Sequence, residues 1–253
     1  MYLHSQRKEL SMTRVLVAVT GSDHWTFADG TRHTTGFWPE ELVVPHQKFT
    51  AAGYDVVLAT PGGVRPVPDE AGFGPEYTDG DPSIGAGYRD YLASIDSELA
   101  SPADLDTQSA ADYDFIFVPG GHGPMEDLAV HAPLGALLAD FDASGKIVSS
   151  VCHGPAALLS AVDADGRWLF AGRRITGFAN TEETLVGFAD KASWLLEDRL
   201  REAGGRYESA AQAWAPHIVV DGNLHTGQNP GSTGPLADEL ISAVARLTES
   251  SLA

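Results

Sequence analysis

Short apolar runs rich in β-branched residues alternate along the chain with longer stretches of mixed polarity. The runs that we interpret as strands are residues 14–19, 55–59, 114–118, 146–151 and 174–177. The stretches that we interpret as helices are residues 37–52, 133–143, 154–161, 195–203 and 235–247. Strands and helices that alternate in this way are typical of parallel βαβ units. The pattern therefore predicts an α/β fold, a doubly wound sandwich with a mainly parallel central sheet.

Two segments interrupt this alternation. Residues 61–90 are rich in Gly, Pro and Asp, so we predict a long irregular excursion there, of the kind that usually carries function. Residues 217–226 hold Asp221 and Gly222 between two apolar runs, which is a strong β-hairpin signal. Because no long polar linker divides the chain, we predict a single domain over residues 13–253, preceded by a flexible tail over residues 1–12.

The charge balance excludes several classes of partner. The chain has 35 acidic and 16 basic residues and a formal net charge of −19. Nucleic acids and anionic membranes are bound through Lys and Arg, so neither is an expected partner.

No apolar run approaches the roughly 18 residues of a membrane helix, and the first residues lack the apolar centre of a secretory signal. With one cysteine, no internal disulfide can form, and a cytoplasmic location is expected.

That cysteine, Cys152, directly follows the predicted strand 146–151 and precedes His153, Gly154 and Pro155. Proline is tolerated in the first turn of a helix, so a helix is predicted to begin immediately after the cysteine. This arrangement is similar to the nucleophile elbow of hydrolases. Because a helix N-terminus lowers the pKa of a thiol, we expect Cys152 to be a catalytic thiolate, with His153 available for acid–base work. The alternative is a small buried apolar residue.

A glycine-rich turn, PGGHGP at 119–124, follows the predicted strand 114–118. Ligands of parallel sheets lie beyond the carboxyl ends of the strands, so this turn and the cysteine are expected to face one crevice. We predict that backbone N–H groups of Gly120, Gly121 and His153 stabilise a substrate oxyanion there. The alternative is an ordinary glycine-rich turn. The spacing fits neither of the common phosphate-binding motifs.

Four segments carry a resemblance to a known family. They are TGFWPEELVVP at 35–45, PGGHGPMEDL at 119–128, VCHGPAALL at 151–159 and RRITGFANTEET at 173–184. In this order they resemble the ThiJ/PfpI superfamily, and within it the heat-inducible chaperone and glyoxalase III branch. The likeness spans residues 13–247. It implies a flavodoxin-like three-layer sandwich, related to class I glutamine amidotransferase domains, that forms a homodimer.

The resemblance also assigns a catalytic triad. It implies that Cys152 is the nucleophile and His153 its partner. The third member is the glutamate that follows the TGF segment, where the register favours Glu183 over Glu182. For Glu183 the alternative is structural, because Asn180 and Glu183 have the spacing of a helix-capping box.

A further glutamate on the first helix is implied to touch the sulfur and to assist proton transfer. Two acids are available in TGFWPEELVVP, and the register to Pro45 favours Glu41 over Glu40. Acids that follow a proline at a helix start also favour the helix dipole without any catalytic role. The residues alone do not separate these two interpretations.

The activity implied by the resemblance is a cofactor-independent conversion of small 2-oxoaldehydes, such as methylglyoxal, to 2-hydroxy acids. Cys152 would attack the aldehyde, proton transfer through an enediol by Glu41 or His153 would give a thioester, and water would release lactate. The sequence contains no HExxH, HxH or Cys/His cluster, so no metal site is predicted. His24, His33 and His122 are expected near the crevice mouth as hydrogen-bonding surface residues.

Other functions remain open on the same fold. A holdase chaperone or protein deglycase would be supported by exposed apolar surface over residues 73–91, although scattered apolar surface is ordinary. A hydratase is another alternative, and so is a cysteine peptidase, which a small closed crevice would disfavour. A glutamine amidotransferase needs a distant His-x-Glu sequence, and neither His217 nor His225 begins one.

Overall fold

A computed structural model describes residues 12–78 and 80–252. The predicted N-terminal tail lies outside these residues except for Met12. The strands are Arg14–Ala18 (β1), His24–Thr26 (β2), Arg32–Thr34 (β3), Asp55–Thr60 (β4), Ala103–Asp104 (β5), Phe115–Val118 (β6), Ile147–Val151 (β7), Arg174–Ile175 (β8), Arg206–Tyr207 (β9), Ile218–Asp221 (β10) and Leu224–Gly227 (β11). The α-helices are Pro39–Ala51 (α1), Pro82–Ser94 (α2), Asp96–Ala100 (α3), Gly123–Glu126 (α4), Ala132–Ala143 (α5), Asn180–Leu185 (α6), Leu196–Glu202 (α7) and Thr233–Leu252 (α8).

The core of the fold is a mixed sheet that is mainly parallel. Its seven strands are ordered β10-β11-β7-β6-β1-β4-β5 among the described residues, and within this sheet only β10 and β11 pair antiparallel. Strands β6 and β7 are buried along their whole length, as expected for a sheet covered by helices on both faces. Helix α1 packs against α8, and α5 packs against β6 and β7. The predicted α/β sandwich and the predicted hairpin at residues 217–226 are therefore confirmed.

The sheet brings two predicted motifs together. Strand β6 lies at the centre of the sheet, with β7 on one side and β1 followed by β4 on the other. Strands β6 and β7 are parallel neighbours, with Val118 opposite Ser150. The glycine-rich turn and the cysteine elbow leave these two strands at the same edge, so they are adjacent in space, as the sequence predicted.

The prediction of an irregular excursion over residues 61–90 is partly wrong, because helix α2 begins inside it. Pro82 occupies the first turn of this helix, and the Asp81 side chain accepts a hydrogen bond from the Ser83 amide at 2.8 Å. In the sequence, Gly85 favoured the prediction of a loop. In the structure, this glycine allows helix α2 to pack closely against Phe73. A side chain at that position would begin 2.2 Å from the Phe73 carbonyl oxygen.

Two other boundaries differ from the predictions. Helix α1 begins at Pro39 rather than at Phe37, because Phe37 is held in an extended bridge to Pro68. The helix predicted after the cysteine is present, and it is a 3₁₀ helix, Gly154–Ser160, that ends one residue earlier than predicted. None of the helices in the described part of the chain is both long and apolar enough to cross a bilayer.

Candidate active site

Cys152 lies at the sharp turn that follows β7. Its backbone has a φ of 60°, a left-handed conformation that costs a non-glycine residue about 1–3 kcal/mol. Gly154 allows the tight turn, because a side chain there would begin 2.2 Å from the Val118 carbonyl oxygen. Only 4% of Cys152 is exposed, but it lines a cavity of about 310 Å³. The sulfur is therefore buried next to a cleft and is not enclosed in the hydrophobic core.

His153 connects the cysteine to Glu183. Its Nδ1 lies 3.4 Å from the Sγ of Cys152, and its Nε2 lies 2.8 Å from Oε2 of Glu183. An ionised carboxylate only accepts hydrogen bonds, so Nε2 carries the hydrogen and Nδ1 can accept the thiol proton. Burial, and then the neighbouring His122, lower the pKa of His153 to about 4. The imidazole is therefore neutral near pH 7, which is the state that a base requires.

Glu183 is a carboxylate shared by two imidazoles. Its Oε2 accepts a hydrogen bond from Nε2 of His153, and its Oε1 lies 2.9 Å from Nε2 of His122. Burial alone would raise the pKa of Glu183, but its interactions with His153 and His122 outweigh burial and hold the pKa below the ordinary value. The carboxylate is therefore ionised and fixes the orientation of both rings.

The capping alternative belongs to the neighbouring acid, Glu182. The side chain of Glu182 is fully buried and accepts a hydrogen bond from the Ala179 amide, at the start of α6, at 3.0 Å. It also accepts hydrogen bonds from the Trp214 amide and from Nδ2 of Asn229, both at 2.8 Å. The two consecutive glutamates thus point to different partners, Glu182 to the loop that carries Trp214 and Glu183 to the histidines.

Glu41 lies in the first turn of α1 and is fully buried. Its Oε2 accepts a hydrogen bond from the Gly120 amide at 2.7 Å. Its Oε1 has no hydrogen bond of good geometry, and the carboxyl interacts with the Cys152 thiol. Burial raises the pKa of Glu41 well above its ordinary value. Glu40 instead lines a second cavity, so the structure brings Glu41, and not Glu40, to the sulfur.

The expectation that Cys152 rests as a thiolate is wrong. Burial raises the pKa of the thiol well above its ordinary value, and the nearby Glu41 raises it further, while the Gly121 amide opposes these effects only in part. The helix dipole that was expected to lower the pKa is weak, because the segment that follows is a seven-residue 3₁₀ helix. The thiol therefore carries its proton at rest, and a base must remove it during the reaction.

The three predicted backbone donors have different environments. The N–H of Gly120 is donated to Glu41, so it does not face a substrate oxygen. A side chain on Gly120 would begin 2.6 Å from the His153 nitrogen and 2.9 Å from the Cys152 Cβ, so this glycine permits the close approach of the two turns. The Gly121 amide interacts with the sulfur. Of the three predicted donors, Gly121 is therefore the one whose amide contacts the sulfur, and the oxyanion role of the His153 amide stays a prediction.

His122 is the functional neighbour that the sequence prediction assigned to the surface. It is buried, and its ring stacks on Trp25 of β2 with 4.7 Å between ring centroids. Its position in a glycine-rich turn beside the cysteine elbow was the available signal. Of the other two histidines, His33 lines the cavity, whereas His24 is bonded to Asp23 at 2.7 Å.

The cluster of His122, His153 and Glu183 also has the composition of a metal site. One donor atom from each residue lies within 4.8 Å of the others. The sequence predicted no metal, because these residues are far apart along the chain. In the structure the same atoms form hydrogen bonds to one another, so a bound cation would replace the bonds that orient His153.

The chain is similar to known proteins over most of its length. The model of the DJ-1/PfpI family matches residues 33–243. Glyoxalase 3 of Candida albicans is 30% identical over 244 residues, which are 92% of this chain and 98% of that protein. Glutathione-independent glyoxalase HSP31 of Saccharomyces cerevisiae is 29% identical over 236 residues, 91% of this chain and 98% of that protein. The crystal structure of glyoxalase III from Candida albicans superposes with a TM-score of 0.76 at 27% identity, and covers 92% of this chain and 97% of that chain.

Proposed function

The chain belongs to the DJ-1/PfpI family, and we propose that it is a glutathione-independent glyoxalase that converts small 2-oxoaldehydes to 2-hydroxy acids. The observation that carries the proposal is that the His153–Glu183 pair and the buried Glu41 both converge on Cys152, which lines a cavity together with His153. The relatives named as glyoxalases align with nearly the whole chain. We assign the roles of nucleophile, base, orienting carboxylate and proton shuttle to these four side chains.

The reaction begins with removal of the thiol proton. Neutral His153 accepts this proton at Nδ1, 3.4 Å from the sulfur, and Glu183 stabilises the imidazolium that forms. The sulfur attacks the aldehyde carbon, and the proton passes from His153 to the aldehyde oxygen. The product is a neutral hemithioacetal, which contains all the atoms of the thiol and the aldehyde. The amides of Gly121 and His153 stabilise the oxygen while it carries charge.

The second stage moves a hydrogen between two substrate carbons. Once the sulfur is part of a neutral hemithioacetal, it no longer shares a proton with Glu41, and the carboxylate can accept the hydrogen of the former aldehyde carbon. Burial raises the pKa of Glu41, which makes its carboxylate a stronger base than that of a solvent-exposed glutamate. Glu41 returns this proton to the adjacent carbon of the enediol intermediate, and His153 moves the hydroxyl proton of the first carbon to the oxygen of the second, so that both protons are accounted for. The resulting 2-hydroxyacyl thioester is hydrolysed by water, which regenerates the thiol.

Lactate formation from methylglyoxal in the absence of glutathione tests the proposal. We expect the wild-type chain to form lactate in a chelator-treated buffer, and Cys152→Ala to form none while it keeps the circular dichroism spectrum of the wild type. If Cys152→Ala turns over methylglyoxal at the wild-type rate, the proposed function and its mechanism are wrong. If wild type and variant are both inactive, this chain uses the shared fold for another reaction.

A further inference from the structure

The cavity next to Cys152 is lined by five Phe, Tyr and Trp side chains. Its rings are those of Trp38, Tyr77, Phe178, Phe188 and Trp214. Phe178 packs on His153 with 4.4 Å between ring centroids, and Trp214 packs on Phe178 at 5.7 Å. Trp38 and Tyr77 meet edge to face at 5.0 Å. A substrate bonded to the sulfur would therefore place its substituent among aromatic rings, which favour apolar and especially aromatic groups.

The charged residues that line the cavity disfavour an anionic substituent. Among the described residues that line this cavity there is no Lys or Arg, whereas Asp69 and Glu70 are both present. Glu70 is paired with Arg89 at 2.6 Å. Asp69 is buried, and its carboxylate accepts a hydrogen bond from the Thr35 hydroxyl at 2.6 Å. An anionic substituent in this cavity would be removed from water next to a carboxylate, without a Lys or Arg in the lining to compensate, and burial lowers the pKa values of the lining His33 and His153, which favours their neutral forms.

Trp214 is held in its place by an unusual local structure. Its backbone has a φ of 69°, and a non-glycine residue keeps such a strained conformation only where surrounding contacts enforce it. The enforcing contact is the buried Glu182, which accepts the Trp214 amide hydrogen at 2.8 Å and also holds Asn229. This places the indole edge to face with Phe178, and 39% of Trp214 remains exposed. The geometry is that of a preorganised wall.

The size of the cavity also exceeds what a methyl substituent needs. Its volume of about 310 Å³ lies at the lower end of the range, about 300–1,000 Å³, of sites that enclose drug-sized ligands. Methylglyoxal would leave most of the aromatic wall without contact. A ring on the ketone carbon would fill this space and bury apolar surface on both partners.

We propose that the preferred substrates are 2-oxoaldehydes with an uncharged aromatic or bulky apolar substituent, and that Trp214 is a specificity-determining residue. This inference rests on the proposed function and narrows its substrate class. Even one methylene in a hydrophobic pocket changes kcat/KM by about tenfold or more. We therefore expect kcat/KM for phenylglyoxal to exceed that for methylglyoxal by at least about tenfold. For 4-carboxyphenylglyoxal, which adds a negative charge, we expect at least about a tenfold loss relative to phenylglyoxal.

The test compares these three substrates in wild type, Trp214→Ala and Trp194→Ala. Trp194 is a matched control, because it lines a separate cavity and stacks near Arg199. We expect Trp214→Ala to lower the phenylglyoxal to methylglyoxal ratio of kcat/KM by about fivefold or more, and Trp194→Ala to leave the ratio within twofold of the wild type.

The outcomes separate this inference from the proposed function. If no 2-oxoaldehyde is converted, the proposed function fails. If methylglyoxal is converted but phenylglyoxal is no better, or if the carboxylate analogue is accepted equally well, only the substrate inference fails. A ratio unaffected by Trp214→Ala, or lowered equally by Trp194→Ala, would remove Trp214 from its assigned role even if phenylglyoxal is preferred.

Discussion

Replacement of Glu41 by glutamine is expected to change two measurable properties of the site in opposite directions. Glutamine has the shape of glutamate, and its amide oxygen can keep the 2.7 Å hydrogen bond from the Gly120 amide. It carries no negative charge near the sulfur and cannot shuttle a proton. We therefore expect slower turnover but a thiol that is easier to ionise, because Glu41 is one of the two main causes of the raised thiol pKa, after burial.

The magnitude follows from the burial of the site. Glu41 is fully buried, so bulk water has no direct access with which to replace it as a proton carrier. Proton transfer by a positioned side chain contributes about 10²- to 10⁴-fold to a rate, which corresponds to about 2.7–5.4 kcal/mol of transition-state stabilisation. We expect kcat for methylglyoxal to fall by a factor in this range in Glu41→Gln.

Two assays together check this prediction. Lactate formation reports turnover, and the rate of Cys152 alkylation by iodoacetamide as a function of pH reports thiol ionisation. We expect the alkylation midpoint of the wild type to lie above that of a free thiol, which is about 8.5, and that of Glu41→Gln to lie below the wild-type midpoint. Glu40→Gln is the matched control and should change neither property appreciably. An alkylation midpoint that rises in Glu41→Gln, or equal losses of turnover in both variants, would refute the reasoning.

Three other predictions concern His122, Gly154 and the holdase alternative. His122→Ala should reduce kcat by about tenfold or more. It should also move the acidic limb of the pH profile of kcat/KM to higher pH, because His122 helps to lower the pKa of His153 to about 4. His122→Gln, which can still donate a hydrogen bond to Glu183, should restore most of kcat, and a merely structural role of His122 predicts no shift of the acidic limb. Gly154→Ala should lower the melting temperature by at least about 3 °C, because the new side chain would begin 2.2 Å from the Val118 carbonyl oxygen. Gly87→Ala is the control and should not lower it, because a side chain there meets no atom within 4 Å. Equal melting temperatures of the two variants would contradict the packing argument. Suppression of the aggregation of a heated client protein is expected to be weak; strong suppression, equal in wild type and Cys152→Ala, would support the holdase alternative.

The sequence predicted the fold and the elbow well because both depend on local pattern. Buried parallel strands appear as short apolar runs, and a cysteine between such a run and Gly154-Pro155 has few structural explanations. The adjacency of Cys152 and the glycine-rich turn followed from the rule that ligands lie beyond the carboxyl ends of parallel strands. Helix α2 was missed because Gly85, which packs on Phe73, is also typical of loops.

The remaining features depend on contacts between distant segments and on burial. The bond of His122 to Glu183 joins residues 61 positions apart, and the bond of Glu182 to the Trp214 amide joins residues 32 positions apart. The resting state of Cys152 could not be predicted either, because the position of the sulfur at a helix start indicated a lowered pKa. Burial and the approach of Glu41 reverse the direction of that shift.

The most direct test of the proposed mechanism is a mass measurement on the Glu41→Gln chain, mixed with excess methylglyoxal and quenched within seconds. Blocking the second stage should cause the first intermediate to accumulate. We therefore predict one added methylglyoxal mass on the intact chain, measured without denaturation or digestion because a hemithioacetal dissociates readily, and protection of Cys152 from iodoacetamide. An unmodified and fully alkylatable Cys152, in a preparation whose wild-type counterpart produces lactate, would contradict the assignment of this cysteine as the nucleophile.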